Sequence, residues 1–254
     1  MINIQKNKQF LLNVIVCAVS VFIAQPALAD IKVRAGISKV SYSTDMAAPT
    51  KTFSGSHDFR VPLIGVTFIS DTGWYVDAAL ATVNIPSNIY TDGTLGRKDG
   101  TVVAGKSDTG DTGTSKSWYV GMKFGNTDQD EQPVGGNRSE YNMNTVGLVF
   151  GGGFGIPISV GGTVAMNAGL GIMQMQWREK YNGTYRSEVR SNYSPGYSYG
   201  LSYNYPFNQT IGAVAEYKGQ VYNYSFNGES SGPTKPTSVS EKVTTLSLSL
   251  YATF

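Results

Sequence analysis

The chain has 254 residues, of which 41% are hydrophobic and 15% are charged, and its formal net charge is +2. A balance this close to neutrality gives no strongly basic surface, so no nucleic-acid partner is expected. The single cysteine, Cys17, cannot form a disulfide within the chain, and stability must come from other interactions.

Residues 1–29 have the three-part pattern of a secretory signal peptide. Two lysines precede an apolar run over residues 10–23, and Ala27-Leu28-Ala29 supplies the small residues that a signal peptidase recognises. The apolar run is short for a transmembrane anchor. We therefore predict cleavage after Ala29, which leaves a single exported domain over residues 30–254.

Segments with the two-residue period of a β-strand recur along this domain, separated by stretches rich in Gly, Ser, Thr, Asn and Asp. Most of them present apolar residues on one face and small or polar residues on the other. The predicted strands lie around residues 31–37, 59–69, 74–81, 118–124, 145–150, 164–172, 197–205, 211–218 and 242–254.

Nine strands conflict with a closed single-chain bacterial barrel, which has an even number. We predict a tenth strand around Thr101–Gly105, inside the long stretch between two recognised strands. With this tenth strand, the short turns fall on one side of the membrane and the longer segments on the other, as expected for periplasmic turns and external loops. The predicted external segments are residues 42–57, 85–98, 127–139, 180–192 and 226–241. An eight-stranded barrel is the alternative.

The last strand shows the alternation most clearly. Its apolar face holds Leu246, Leu248, Leu250, Ala252 and Phe254, whereas the opposite face is small and polar. A soluble sheet would show charged residues to water, but the polar faces of the last and third-last strands carry almost none. The sequence therefore predicts an all-β fold, an antiparallel up-and-down transmembrane β-barrel, rather than a soluble sandwich.

The signal peptide, the alternating strands and the terminal pattern Leu246-x-Leu248-x-Leu250-Tyr251-x-x-Phe254 resemble the small bacterial outer-membrane β-barrels, which include opacity and OmpX-like adhesin barrels. The resemblance implies location in the cell outer membrane, among its lipids and lipopolysaccharide. It also implies that Leu250, Tyr251 and Phe254 form the signal that the outer-membrane assembly machinery reads. Phe254 alternatively serves only as a lipid-facing or interface residue.

Aromatic residues mark the expected membrane interfaces. We predict that Trp74 and Trp118 lie at the periplasmic interface and Trp177 at the outer interface. The apolar residues change parity after Ile172, because Met173 and Trp177 fall on the opposite face. This change predicts either a β-bulge or the point where the strand leaves the bilayer.

Six charged residues are predicted to point into the barrel. They are Lys32, Arg34, Asp77, Lys123, Glu216 and Lys218. A barrel of eight to ten strands has little interior room, so these side chains are expected to form a polar plug. Because four of the six are positive, the alternative is a conduit for a small anion.

The residue pattern does not indicate catalysis, a metal or a cofactor. The only histidine, His57, lies in Ser56-His57-Asp58, whose neighbours point apart on an extended chain and cannot form a relay. The segment Asp108–Asp111 lacks the ligand spacing of a calcium loop. We predict that the protein is not an enzyme and has a surface role such as adhesion, envelope protection or opacity. A narrow channel is the alternative, followed by a barrel enzyme acting on lipid or peptide.

Overall fold

The computed structural model describes residues 28–49, 51–86, 94–131, 137–159, 161–226 and 235–254. Residues 1–27, which include most of the predicted signal peptide, lie outside the described residues. Over the described ranges, the chain forms no helix that is long and apolar enough to cross a membrane.

The described chain is built of antiparallel strands. They are β1 (Leu28–Ala48), β2 (Lys51–Ser70), β3 (Trp74–Pro86), β4 (Thr94–Thr109), β5 (Ser115–Glu131), β6 (Ser139–Pro157), β7 (Thr163–Tyr181), β8 (Thr184–Arg190), β9 (Ser194–Pro206), β10 (Ile211–Ser225) and β11 (Ser238–Thr253). Short turns that include Gly73, Gly113 and Gly161 connect the strands at one end. Each of these three residues has a positive φ, a backbone conformation that favours glycine.

Ten of these strands form a closed barrel. They pair in the order β6-β5-β4-β3-β2-β1-β11-β10-β9-β7, and β6 also pairs with β7 to close the ring. The short strand β8 pairs with β7 beyond the end of β9 and so lengthens the wall at that position. The predicted ten-stranded barrel is confirmed, and the strand predicted at Thr101–Gly105 is the centre of β4; the eight-stranded alternative is wrong.

The outer surface carries an apolar belt. Large aliphatic side chains alternate along each strand and remain exposed, such as Ile37 and Ile64, each 64% exposed, and Leu248, 63% exposed. Trp74 and Trp118 also face outward near the short turns, and their rings meet edge to face with centroids 5.3 Å apart. A contiguous belt of this kind is unfavourable in water and is typical of a surface in contact with lipid.

Several strands are much longer than a membrane requires. The 21 residues of β1 extend over roughly 70 Å, and a tilt of about 40° still leaves about 50 Å along the barrel axis. The apolar band of an outer-membrane barrel is only about 25 Å tall. We call the part of the barrel beyond the belt, away from the short turns, the extended half.

The extended half corrects the prediction of long external loops. The segments predicted as loops are largely continuations of strands: β1 ends at Ala48 and β2 begins at Lys51, so most of residues 42–57 is hairpin. The same holds for residues 94–98 of β4 and 238–241 of β11. Loop-like composition misled the prediction because strands that leave the membrane face water on their outer side and lose their apolar outer residues.

The change of parity in β7 does not come from a β-bulge between β6 and β7, whose register is continuous from Ser139 to Pro157. Met173, Met175 and Trp177 point into the barrel and are at most 5% exposed. The prediction of Trp177 as an outer-girdle residue was therefore wrong. Beyond the belt, water covers the outside of β7 and the apolar residues lie on its inner side. The change of parity therefore marks the point where the strand leaves the bilayer, which was one of the two predicted explanations.

Two interruptions in hydrogen bonding divide the extended half. The β2–β3 ladder ends at Leu63 and Ala81, next to Pro62, which has no N–H group to donate. The β9–β10 ladder ends at Gly196 and Tyr222. Beyond these points, β10, β11, β1 and β2 form one sheet, and β3 to β8 form a second sheet whose inner face packs against the first.

Candidate functional site

A buried arginine joins the two sheets of the extended half. The guanidinium of Arg97 on β4 is 3% exposed and donates two hydrogen bonds of 2.8 Å to the carboxylate of Asp99. It donates two more, each 2.8 Å, to the hydroxyl of Thr127 on β5 and the carboxylate of Glu241 on β11. Arginine suits a position between several acceptors because the N–H groups of its planar guanidinium can donate to all of them at once.

Aromatic residues surround this ion pair. The hydroxyl of Tyr224 donates a hydrogen bond of 3.2 Å to Glu241, and the Arg97 guanidinium lies 4.3 Å from the ring centre of Tyr42. Burial raises the pKa of Tyr42 to about 12. Burial alone would lower the pKa of Arg97, but Asp99 and Glu241 raise it above its ordinary value. The cluster therefore holds a permanently charged arginine between two carboxylates.

Lys123 makes a second connection across the lumen. Its ammonium group on β5 donates a hydrogen bond to the side-chain oxygen of Gln220 on β10, and lies 5.0 Å from the ring centre of Tyr222. Lys123 is 4% exposed and Gln220 is 9% exposed. Because β5 and β10 lie on facing walls of the closed barrel, this contact also crosses the interior, just before the two interruptions.

Two apolar clusters fill the space around these polar contacts. The first contains Val40, Tyr42, Phe59, Val61, Leu95 and Val243, and the second contains Met173, Met175, Tyr222, Tyr224 and Val239. Each cluster draws residues from both sheets. The extended half therefore has a packed core, similar in kind to that of a soluble sandwich.

The six predicted lumen charges all lie on inward-facing positions of their strands, but they do not form one network. Arg34 and Asp77 form an ion pair of 2.8 Å, and Thr67 donates a hydrogen bond of 2.6 Å to the same carboxylate. The Lys32 ammonium lies 3.6 Å from the ring centre of Tyr251. Glu216 and Lys218 are half-buried on β10. Lys123 lies apart, in the contact with Gln220 described above.

The C-terminal residues divide between the two faces of β11. Leu250 and Phe254 face outward with 58% and 76% exposure, whereas Tyr251 faces the lumen and is 8% exposed. The β1–β11 ladder runs from Lys32 and Thr253 to Ala47 and Ser238, so the first and last strands are neighbours in the closed barrel. The role of these residues in assembly stays a prediction.

His57 lies on the inner side of β2 near the mouth, and Asp58 lies on the outer side. Burial lowers the pKa of His57, whose ring centroid is 6.2 Å from that of Phe59. Asp58 instead accepts a hydrogen bond of 2.6 Å from Ser41 and pairs with Lys39 at 3.2 Å. Among the described residues, no group of three or more His, Cys, Asp or Glu could hold a metal ion.

Sequence reasoning missed Arg97, Asp99 and Glu241. Two of them, Arg97 and Glu241, fell within segments predicted as external loops, and Asp99 followed directly after one of them. A signal was present, since Leu95, Arg97 and Asp99 continue the parity of Thr101 along β4. The partner of Arg97 lies 144 residues away along the chain, and only the barrel brings the two together.

A shallow cavity of about 300 Å³ opens at the rim of the extended half. Its lining comes from the tips of β1, β2, β10 and β11 and combines polar side chains with apolar ones. The residues are Asp45, Met46, Ala47, Thr52, Asn223, Tyr224, Ser238, Val239 and Ser240.

No protein-family model matches the sequence, and no curated protein matches it either. Solved structures do match. The outer membrane protease OmpT from Escherichia coli superposes with a TM-score of 0.71 at 7% identity, over 89% of this chain and 97% of that chain. The chain has the fold of a small bacterial outer-membrane β-barrel. The translocator domain of the autotransporter NalP from Neisseria meningitidis gives a TM-score of 0.51 at 11% identity, over 96% of this chain and 95% of that chain.

The fold and its apolar belt are those of outer-membrane barrels, in which the short turns lie at the periplasmic end. The prediction that the chain is not an enzyme requires correction, because OmpT is a protease with the same fold. That prediction rested on the chain having a single histidine, and this observation does not exclude catalysis. At 7% identity the likeness is one of fold, and it carries no catalytic residue over to this chain.

Proposed function

We propose that this protein is an outer-membrane surface protein whose lumen is sealed and whose extended half presents a binding surface outside the cell, in an adhesion-type role. The observation that supports it best is the ion pair between Arg97 and Glu241, with side chains only 3% exposed, that ties opposite walls together. A conduit needs a continuous aqueous path, and the packed core around this pair leaves little space for one.

A narrow channel for small anions is the second candidate. It is supported by the half-buried cations Lys32, Arg34 and Lys218, which line the interior on the periplasmic side of the core. For an anion to pass through the whole barrel, the contacts of Arg97 and Lys123 would have to separate, which would leave charges without partners at a cost of several kcal/mol.

Planar-bilayer recordings distinguish the two candidates. We expect the purified wild-type protein to show no steady single-channel steps. The double variant Arg97→Ala with Lys123→Ala removes both polar connections and is expected to give brief, irregular openings. Control recordings use Arg190→Ala, an exposed residue on β8, which should remain silent. Steady unitary steps from the wild-type protein would contradict the sealed-lumen proposal and favour the channel.

Cysteine labelling in intact cells tests which end faces outward. If the predicted signal is removed, the exported chain has no cysteine, so single substitutions provide a clean background. Tyr185, 61% exposed and next to the turn between β7 and β8, is replaced by cysteine and should react with a membrane-impermeant maleimide. Asp71→Cys, in a short turn, should react only after the outer membrane is permeabilised. The reverse pattern would contradict the proposed surface role.

A further inference from the structure

The cavity at the rim lies on the outer face of the first sheet. Along β10 and β11, the buried residues Tyr224 and Val239 point into the second apolar cluster, so their neighbours point away from the lumen. Such outward residues make up six of the nine that line the cavity, and the other three lie beside them along the strands. We call the six the outer pocket: Asp45, Ala47, Thr52, Asn223, Ser238 and Ser240.

A carboxylate and a carboxamide lie at opposite sides of the outer pocket. Asn223, Ser240 and Asp45 form one cross-strand row, because Ser240 on β11 is the register partner of both others. Two strand spacings, about 10 Å, therefore separate the backbones of Asn223 and Asp45. Ala47 and Ser238, which are partners in the next row towards the strand tips, have small side chains and leave a depression.

The core holds the floor of the outer pocket from behind. Tyr224 and Val239 are each 1% exposed, and the hydroxyl of Tyr224 donates a hydrogen bond of 3.2 Å to Glu241. The β1–β11 and β10–β11 ladders both continue to Ser238, so backbone hydrogen bonds join the three strands under the pocket. The polar side chains thus project from a rigid support, which reduces the entropy lost when a ligand binds.

The outer pocket differs from the second sheet in how its polar side chains are engaged. Over the described part of the chain, Asp45, Asn223 and Ser240 form no side-chain hydrogen bond or ion pair. On the outer face of the second sheet, by contrast, Asn142 donates a hydrogen bond to its register partner Asp128. The polar groups of the outer pocket are therefore available to an external ligand.

The lining favours a ligand rich in hydroxyl groups. A carboxylate accepts hydrogen bonds from two neighbouring hydroxyls, and a carboxamide both donates and accepts, so Asp45 and Asn223 match such a ligand. An anion would meet the charge of Asp45, and the described lining contains no cation to offset it. An apolar ligand would remove Asp45 and Asn223 from water without replacing their hydrogen bonds.

We propose that the outer pocket binds a neutral sugar unit of a glycan outside the cell, with Asp45 and Asn223 as the principal contacts. This inference rests on the proposed surface role and gives the chemical class of the partner. Ser240 lies between the two contacts, where its hydroxyl can bond to the same sugar. None of the six side chains is aromatic, so one pocket is expected to bind weakly and many copies on a cell to bind firmly.

A glycan microarray tests this site with the protein purified from outer membranes in detergent. The array carries neutral, sialylated and sulfated oligosaccharides, and we expect binding to one or more of the neutral ones. Asp45→Asn and Asn223→Ala are each expected to weaken that binding about tenfold, since each loses hydrogen bonds to the sugar. Glu188→Gln removes an exposed carboxylate from the second sheet and should change binding by less than about twofold.

A blocking variant tests the same pocket without removing a polar group. Ala47→Trp places a large side chain in the depression and should abolish binding, as long as the variant shows the heat-modifiable gel shift of a folded barrel. No binding of the wild-type protein to any neutral glycan, undiminished binding by folded Ala47→Trp, or equal losses in Asp45→Asn and Glu188→Gln would each overturn this inference. Those results would leave the proposed surface role standing, because bilayer recordings and cysteine labelling test that role separately.

Discussion

Replacing Glu241 with alanine is expected to lower the free energy of unfolding by about 3–5 kcal/mol, because the change leaves a buried arginine without one of its partners. Arg97 would keep its bonds to Asp99, but its charge would lose the carboxylate from the opposite sheet. The hydroxyl of Tyr224 would also lose its acceptor. Urea unfolding in phospholipid vesicles, followed by tryptophan fluorescence, measures the effect.

The matched control is Glu188→Ala. Glu188 also pairs with an arginine, Arg178, at 3.4 Å, but its side chain is 47% exposed and the pair is screened by water. We expect a much smaller change there. Equal losses of stability in the two variants would mean that the contact between the sheets contributes no more than a surface ion pair, and would remove the main support for the sealed lumen.

Replacing Gly36 with alanine is expected to destabilise the barrel by about 3 kcal/mol, at the upper end for overpacking. A Cβ at this position would lie 2.2 Å from the carbonyl oxygen of Leu248 and 2.6 Å from the Cα of Ser249. Both are backbone atoms of β11, so no side chain can move aside to make room. The β1–β11 pair, which joins the two ends of the chain, would have to separate.

The effect of Gly36→Ala is measured by the same unfolding experiment and by the fraction of protein that shows the gel shift of a folded barrel. Gly55→Ala on β2 is the matched control, because its Cβ would find only the Nε2 atom of His57, at 3.8 Å. Wild-type stability in Gly36→Ala would contradict the close approach of β1 and β11 at this position.

The sequence predicted the membrane half of the barrel well because lipid enforces a strict rule there. Outward residues such as Leu246 and Leu248 must be apolar and inward residues small or polar, so alternation defines each strand. The count of ten also followed from the sequence, since an open edge cannot persist in lipid and an odd number conflicts with closure.

Outside the membrane the same rule fails. Along β7 the outward residues become polar at Gln174, and the inward ones become apolar at Met173 and Met175. A prediction that expects apolar residues outside and polar residues inside therefore assigns this reversal to a loop or a β-bulge. Trp177 was placed at the outer interface for this reason, although it lies inside the core.

By itself, the sequence determined the class of the fold, the number of barrel strands and the orientation of the six predicted lumen residues. These properties depend on short-range alternation, which each strand carries in its own residues. Only the tertiary structure decided how the interior is closed. The contact of Arg97 with Glu241 and that of Lys123 with Gln220 join strands far apart in the chain, and nothing near either residue in sequence identifies its partner. The register of the closed barrel brings them within hydrogen-bonding distance, because it fixes which strands face each other across the lumen.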